Sequence, residues 1–152
     1  MRVTAKVDYA LRAALELAGA PPSTPVKGDA IAEAQDISVN YLENILLELR
    51  RAGIVRSMRG AEGGYWLARP ADQVTVADII RAVEGPLANV RGERPEALEH
   101  TGHAHHVREL WVATRAALRT VLEGTTLADL VAGELPPTVK PLLDDPEAWQ
   151  SH

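Results

Sequence analysis

The stretch Gly28–Ala68, GDAIAEAQDISVNYLENILLELRRAGIVRSMRGAEGGYWLA, decides the fold. Its first part reads as a short helix over about Gly28–Ala34 with Ile31 as the core position, followed by a tight connection at Asp36-Ile37. Ser38 suits the N-cap of a longer helix over Ser38–Ala52, because its hydroxyl can accept an orphan N–H of the first turn. Leu42, Ile45, Leu46 and Leu49 recur at helical spacing and form that helix's buried stripe, and Gly53 ends it. Short helix, tight turn and longer helix make helix-turn-helix geometry. The period then changes. Ile54-Val55-Arg56-Ser57-Met58 reads as a strand, Arg59–Gly64 as a turn and Tyr65-Trp66-Leu67-Ala68 as a second strand. A helix-turn-helix (about 28–51) followed at once by a hairpin (about 54–68) is a winged helix.

Outward from this stretch the pattern is helical. Val7, Ala10, Leu11, Ala14, Leu15 and Ala18 predict an amphipathic helix over Thr4–Ala18. Downstream, Thr75-Val76-Ala77-Asp78 resembles a capping box opening a helix with Val76, Ile79, Ile80 and Val83 on one face, ended by Gly85-Pro86. Residues 87–103 read as an irregular polar loop. A long helix is expected over about Ala104–Glu123, and Thr126-Leu127-Ala128-Asp129 caps a short helix reaching residue 132. The tail, 133–152, carries four prolines and an acidic cluster and reads as loose. The expected fold class is mostly α with a small β-hairpin wing. Residues 1–86 form the winged domain, and 104–132 hold the long helix and its short follower.

Composition narrows the function classes. The 152 residues are 46% hydrophobic and 24% charged, which suits one globular domain rather than a disordered chain. There is no cysteine, so the chain offers no disulfide, no thiolate metal site and no cysteine nucleophile. No apolar run follows the N-terminus or reaches 18 residues, so neither a signal peptide nor a membrane span is expected, and the cytoplasm is the expected location. No nucleophile elbow, no His-Glu-x-x-His and no paired-carboxylate setting is present, which points away from an enzyme.

The net charge of −5 conceals an uneven distribution. Residues 1–69 hold nine Lys/Arg against eight Asp/Glu, while residues 70–152 hold seven against thirteen. Arg50, Arg51, Arg56 and Arg59 lie within ten residues that contain no acid, and local field matters more than net charge for phosphate binding. With its stripe buried, the longer helix presents Asn40, Tyr41, Glu43 and Asn44 near its N-terminus. Asn can pair with adenine, Glu can accept from cytosine N4, and Tyr can bond a phosphate. Arg59 beside Gly60 at the hairpin tip could enter a narrow minor groove. Glu62 at the same tip fits phosphates poorly.

Tyr41-Leu42-Glu43, Ala52-Gly53, the wing Ser57–Ala68, Val74–Ile79 and Val83-Glu84-Gly85-Pro86 resemble the Rrf-two family of bacterial winged-helix transcription regulators, the IscR/NsrR/CymR-like group. Asp8–Ala13 and Thr126–Leu130 fit as well, so the resemblance spans about residues 1–132. It implies a homodimeric repressor on a palindromic operator, with the second helix of the motif in the major groove and the wing in the minor groove. It carries the DNA-contacting role to Ser38, Asn40, Tyr41, Glu43, Arg59 and Gly60. Many members hold an iron–sulfur cluster through three cysteines between the helix after the wing and the dimer helix. Here that segment has none, so no cluster is expected, and the chain resembles the cluster-free branch, which takes its signal from a metabolite or a partner protein.

Two further readings concern the C-terminal half. Val107, Leu110, Trp111, Thr114, Ala117, Leu118, Val121 and Leu122 form an apolar stripe on the long helix. The stripe packs either on its own domain or, as favoured here, on its copy in a two-fold dimer, since palindromic half-sites sit about 34–36 Å apart. His100, His103, His105 and His106, with Asp8 at the position of a cluster ligand in some members, are candidate metal ligands for a metal-responsive regulator. The alternative for the histidines is a polar loop. A protein-interaction module on a winged-helix frame is the competing function for the whole chain, since the acidic half would suit a protein partner.

Overall fold

The computed structural model describes residues 1–151; the final residue of the tail, His152, lies outside them. Seven helices and one hairpin occur among the described residues. Helix α1 (Ala5–Gly19) opens with Thr4 as N-cap, its hydroxyl accepting from the Val7 N–H. Helix α2 (Gly28–Gln35) ends at Asp36, which adopts a left-handed backbone (φ 52°) and makes the tight connection of the motif without glycine. Asp is among the few side chains that tolerate that region. Helix α3 (Val39–Arg51) starts at Ser38, whose hydroxyl accepts from the Tyr41 N–H at 3.3 Å. At its end the Gly53 N–H donates to the Arg50 carbonyl, and the Ile54 N–H reaches back to Leu49. That pair of bonds needs Gly53 at positive φ, here 75°.

The core is the meeting of α1, α3 and α4 (Val76–Glu84). Ala10, Ala13 and Ala14 of α1 are fully buried, so α1 offers a flat surface on which the stripe of α3 can lie closely. Leu42, Ile45, Leu46 and Leu49 have no exposed surface, nor does Ile79 of α4. Polar ties close the rim: Thr4 donates to Glu84 at 2.7 Å, and the Lys6 ammonium lies 2.9 Å from both the Val83 carbonyl and Glu48.

Strands β1 (Val55–Met58) and β2 (Gly64–Leu67) pair antiparallel with Val55 opposite Leu67 and Ser57 opposite Tyr65. The wing is not a free hairpin. Val26, before α2, exchanges two backbone hydrogen bonds of 2.8 Å with Tyr65, a single bridge that extends the edge of the two-stranded sheet. The approach is so close that a Cβ on Gly64 (φ 153°) would meet the Val26 carbonyl oxygen at 2.6 Å. A Cβ on Gly63 would meet the Met58 carbonyl oxygen at 2.0 Å.

Beyond the wing, both capping boxes form, at Thr75/Asp78 for α4 and at Thr126/Asp129 for α6 (Leu127–Ala132). They also sit side by side. The Val76 N–H donates to Thr125 and the Leu127 N–H to Val74, so α6 is stitched to the start of α4, and Leu127 is fully buried. The long helix α5 (Val107–Leu122) begins three residues later than the expected start at Ala104, level with the first residue of its apolar stripe. Gly102–Ala104 form a separate 3-10 turn, with Gly102 in a left-handed backbone (φ 59°), and His106 breaks the helical path before α5. The intervening segment is less polar than its composition indicates, since Pro95 and Leu98 are buried. The tail carries a short helix α7 (Lys140–Leu143) and a turn over Pro146–Trp149, in which the Trp149 indole donates to the Leu143 carbonyl. Past Val139 it is exposed throughout.

Ion pairs tie α5 to the rest. Glu123 accepts from Arg119 at 3.0 Å and from Arg81 of α4, and Arg115 meets Glu96 at 2.6 Å. The two guanidinium groups hold the Glu123 carboxyl below the usual carboxylate range. A depressed native pKa contributes stability above the unfolded pKa and loses it as pH falls through the native one. A carboxyl-carbon NMR titration should therefore place Glu123 lower than an unpaired glutamate, and Arg81→Ala should bring it back up. A second prediction concerns the wing. Gly63→Ala should disorder the hairpin while sparing the α1–α3–α4 core, read as loss of β1–β2 amide protection with helical circular dichroism retained.

Candidate nucleic-acid interface

The surface opposite the buried stripe of α3 carries most of the side chains expected to read a duplex. Asn40, Tyr41, Glu43 and Asn44 are all exposed. So are Ser38, Arg50, Arg51, Arg56, Arg59 and Gly60. Ser38 uses its oxygen lone pair on the cap, which leaves the hydroxyl proton free to donate outward. The N-terminal turn of α3 adds backbone N–H groups and the positive end of its dipole, a setting suited to phosphate.

These side chains are not loose. The Tyr41 ring stands edge-on against Tyr9 of α1, with centroids 5.6 Å apart. Arg12 lies over the Tyr9 ring at 4.7 Å, donates to the Gln35 carbonyl at the end of α2, and pairs with Asp8 at 3.1 Å. One guanidinium thus ties α1 to the end of α2 and backs the Tyr9 ring on which Tyr41 of α3 rests. At the other end, Arg50 donates to the Ser57 hydroxyl at 3.0 Å, locking the end of α3 to β1. The wing tip is held by Lys27, whose ammonium donates to the Gly60 carbonyl at 2.8 Å. Tyr9, Arg12, Val26 and Lys27 are the residues that sequence reasoning missed. Their partners lie 23 to 39 positions away, and Val26-Lys27 is too short for any periodicity to show.

The candidate metal ligands do not assemble. Asp8 is engaged by Arg12 on α1. His103 lies in the 3-10 turn and His106 at the start of α5, where it faces Glu109 at 3.8 Å and stacks edge-on with His105. The His100 Nδ1 is buried with no hydrogen-bond partner. Among the described residues no group of three or more His, Asp or Glu is placed to hold a metal ion. The donor set around residues 86–106, without a thiolate, does not fit an iron–sulfur cluster either.

A winged helix-turn-helix with an amide-, tyrosine- and arginine-bearing outer face defines a DNA-binding regulator, and no described helix is long and apolar enough to cross a membrane. The chain belongs to the Rrf2 family, described as iron-dependent transcriptional regulators, whose profile matches residues 3–133. A Mycobacterium tuberculosis protein named as an HTH-type transcriptional regulator, Rv1287, is 46% identical over 99% of this chain and 94% of its own length. The HTH-type transcriptional regulator CymR of Bacillus subtilis is 41% identical over 87% of this chain and 91% of its own. The solved structure of that CymR, titled as a global cysteine regulator, superposes with a TM-score of 0.74, covering 88% of this chain and 98% of that one. The chain is a DNA-binding transcriptional regulator of this family, and its lack of cysteine places it with the cysteine-free branch.

Proposed function

We propose that this regulator is a homodimeric repressor that binds a palindromic operator in the cytoplasm, with α3 in the major groove and the wing tip in the minor groove, and that it works by binding alone, without catalysis and without an iron–sulfur cluster. The observation that carries the dimer is the state of α5. None of its sixteen residues is buried within one chain; Leu110 is 57% exposed and Trp111 37%. Trp111, Thr114 and Leu118 border a largely apolar groove of about 710 Å³ that also runs along Met1, Val3 and Val7. A second copy of the stripe, from Val107 to Leu122, would cover this surface, and a two-fold axis there would present two α3 helices to successive turns of one duplex face. Arg50, Arg51 and Arg56 then serve the phosphate backbone, and Arg59 the narrow groove. The signal enters through a metabolite or a partner protein rather than a metal.

Selection of random duplexes with the purified chain should enrich a palindrome. Arg59→Ala should weaken binding to it by about 1–3 kcal/mol, roughly 5- to 150-fold, and leave the melting curve unchanged. Normal binding by that variant would remove the wing from the interface. Affinity should fall steeply with salt, each neutralised phosphate adding about 0.9 to the logarithmic slope. Trp111→Glu should convert the dimer to a folded monomer in analytical ultracentrifugation and lose operator affinity with it. A wild-type chain that sediments as a monomer would overturn the dimer.

A further inference from the structure

Residues 70–152 hold only seven Lys/Arg in a strongly acidic half, yet four of them, Arg81, Arg94, Arg115 and Arg119, line one cavity. The cavity, about 490 Å³, lies between the end of α4, the turn at Gly85–Ala88 and the outer flank of α5. Composition does not explain such a gathering, because like charges repel unless something draws them together.

Two carboxylates answer the four guanidinium groups. Glu96 takes Arg115 at 2.6 Å through one oxygen. A single oxygen of Glu123 takes both Arg119, at 3.0 Å, and Arg81. Arg94 acts on Glu96 only at longer range. Four positive charges thus face two negative ones, and each guanidinium offers five N–H donors, most of them outside these bonds. The planar fork of arginine matches carboxylate and phosphate oxygens two at a time.

We propose that this cavity binds a small dianion bearing carboxylate or phosphate groups. Its volume falls within the range of small-molecule sites. No residue of α3 or the wing lines it, which separates it from the face that meets DNA. The anion competes with Glu96 and Glu123 for the arginines. Those carboxylates hold α5 to the 95–97 turn and to α4, so the ligand acts on the joint between the helix-turn-helix half and the long helix. Binding itself does not depend on the DNA reading; any consequence for operator affinity rests on it.

The test is calorimetric titration of the full chain, free of DNA, with inorganic phosphate and with succinate, at ionic strength held constant with chloride. Saturable binding of one anion per chain by either probe is expected, with a rise in Tm. Arg115→Ala and Arg94→Ala should each weaken it about tenfold, the loss of one charge-assisted contact. Arg108→Ala, on the same helix but outside the cavity, should bind as wild type. Arg94 is exposed, so its variant keeps the test open if Arg115→Ala fails to fold. No saturation beyond the chloride control, or wild-type binding by Arg94→Ala, overturns the proposal. So does loss of duplex affinity by Arg94→Ala with no anion present, which would assign these donors to the DNA backbone.

Discussion

The burial of Leu42, Ile45, Leu46 and Leu49 is the constraint on which the rest of the molecule depends. Once that stripe lies against the alanine surface of α1 and against α4, the rotation of α3 about its axis is fixed. Asn40, Tyr41, Glu43 and Asn44 then have no choice but to face outward. Truncating a fully buried leucine typically costs about 2–5 kcal/mol, a large share of the stability of a domain this size. The same contact that holds the fold therefore also aims the side chains proposed to meet DNA.

The aim is refined by a few polar and aromatic contacts around that core. Arg12 joins α1 to the end of α2 and backs Tyr9, which in turn backs Tyr41. Lys27 and the Val26–Tyr65 pair seat the wing on the segment that leads into α2. The hairpin and the helix-turn-helix are consequently joined by direct contacts rather than left as two separate modules. Gly63 and Gly64 are required there by proximity, since backbone of other segments occupies the space a side chain would need.

The C-terminal half is held differently. Helix α6 is fastened by backbone pairing between the two capping boxes and by the buried Leu127. Helix α5 is held more lightly: Leu122 packs on the edge of the core and ion pairs from Arg81, Arg115 and Arg119 hold one flank, while Leu110, Trp111, Thr114 and Ala117 of its stripe stay exposed. Exposed ion pairs are individually weak, so this joint is the part of the chain most easily altered by a competing charge. A regulator needs such a place, where a modest interaction can change the relation between two stiffer parts.

Local sequence determined the elements: the helix periods, the Ser38, Thr75 and Thr126 caps, the Gly53 stop and the hairpin with its glycine tip were all legible, because each depends on residues within a few positions of one another. The outward set on α3 was legible for the same reason, since a buried stripe implies its opposite face. The metal reading of Asp8 and the histidines rests on proximity in the sequence and on a family pattern; among the described residues no three such side chains are placed to hold an ion, and Asp8 is taken up by Arg12. Long-range pairing was decided only by the tertiary structure. Val26 beside Tyr65, Lys27 on Gly60, Tyr9 behind Tyr41, the neighbouring capping boxes and the four-arginine cavity each join residues far apart along the chain. No periodicity encodes such contacts, because they arise from how whole elements pack once their apolar faces are buried.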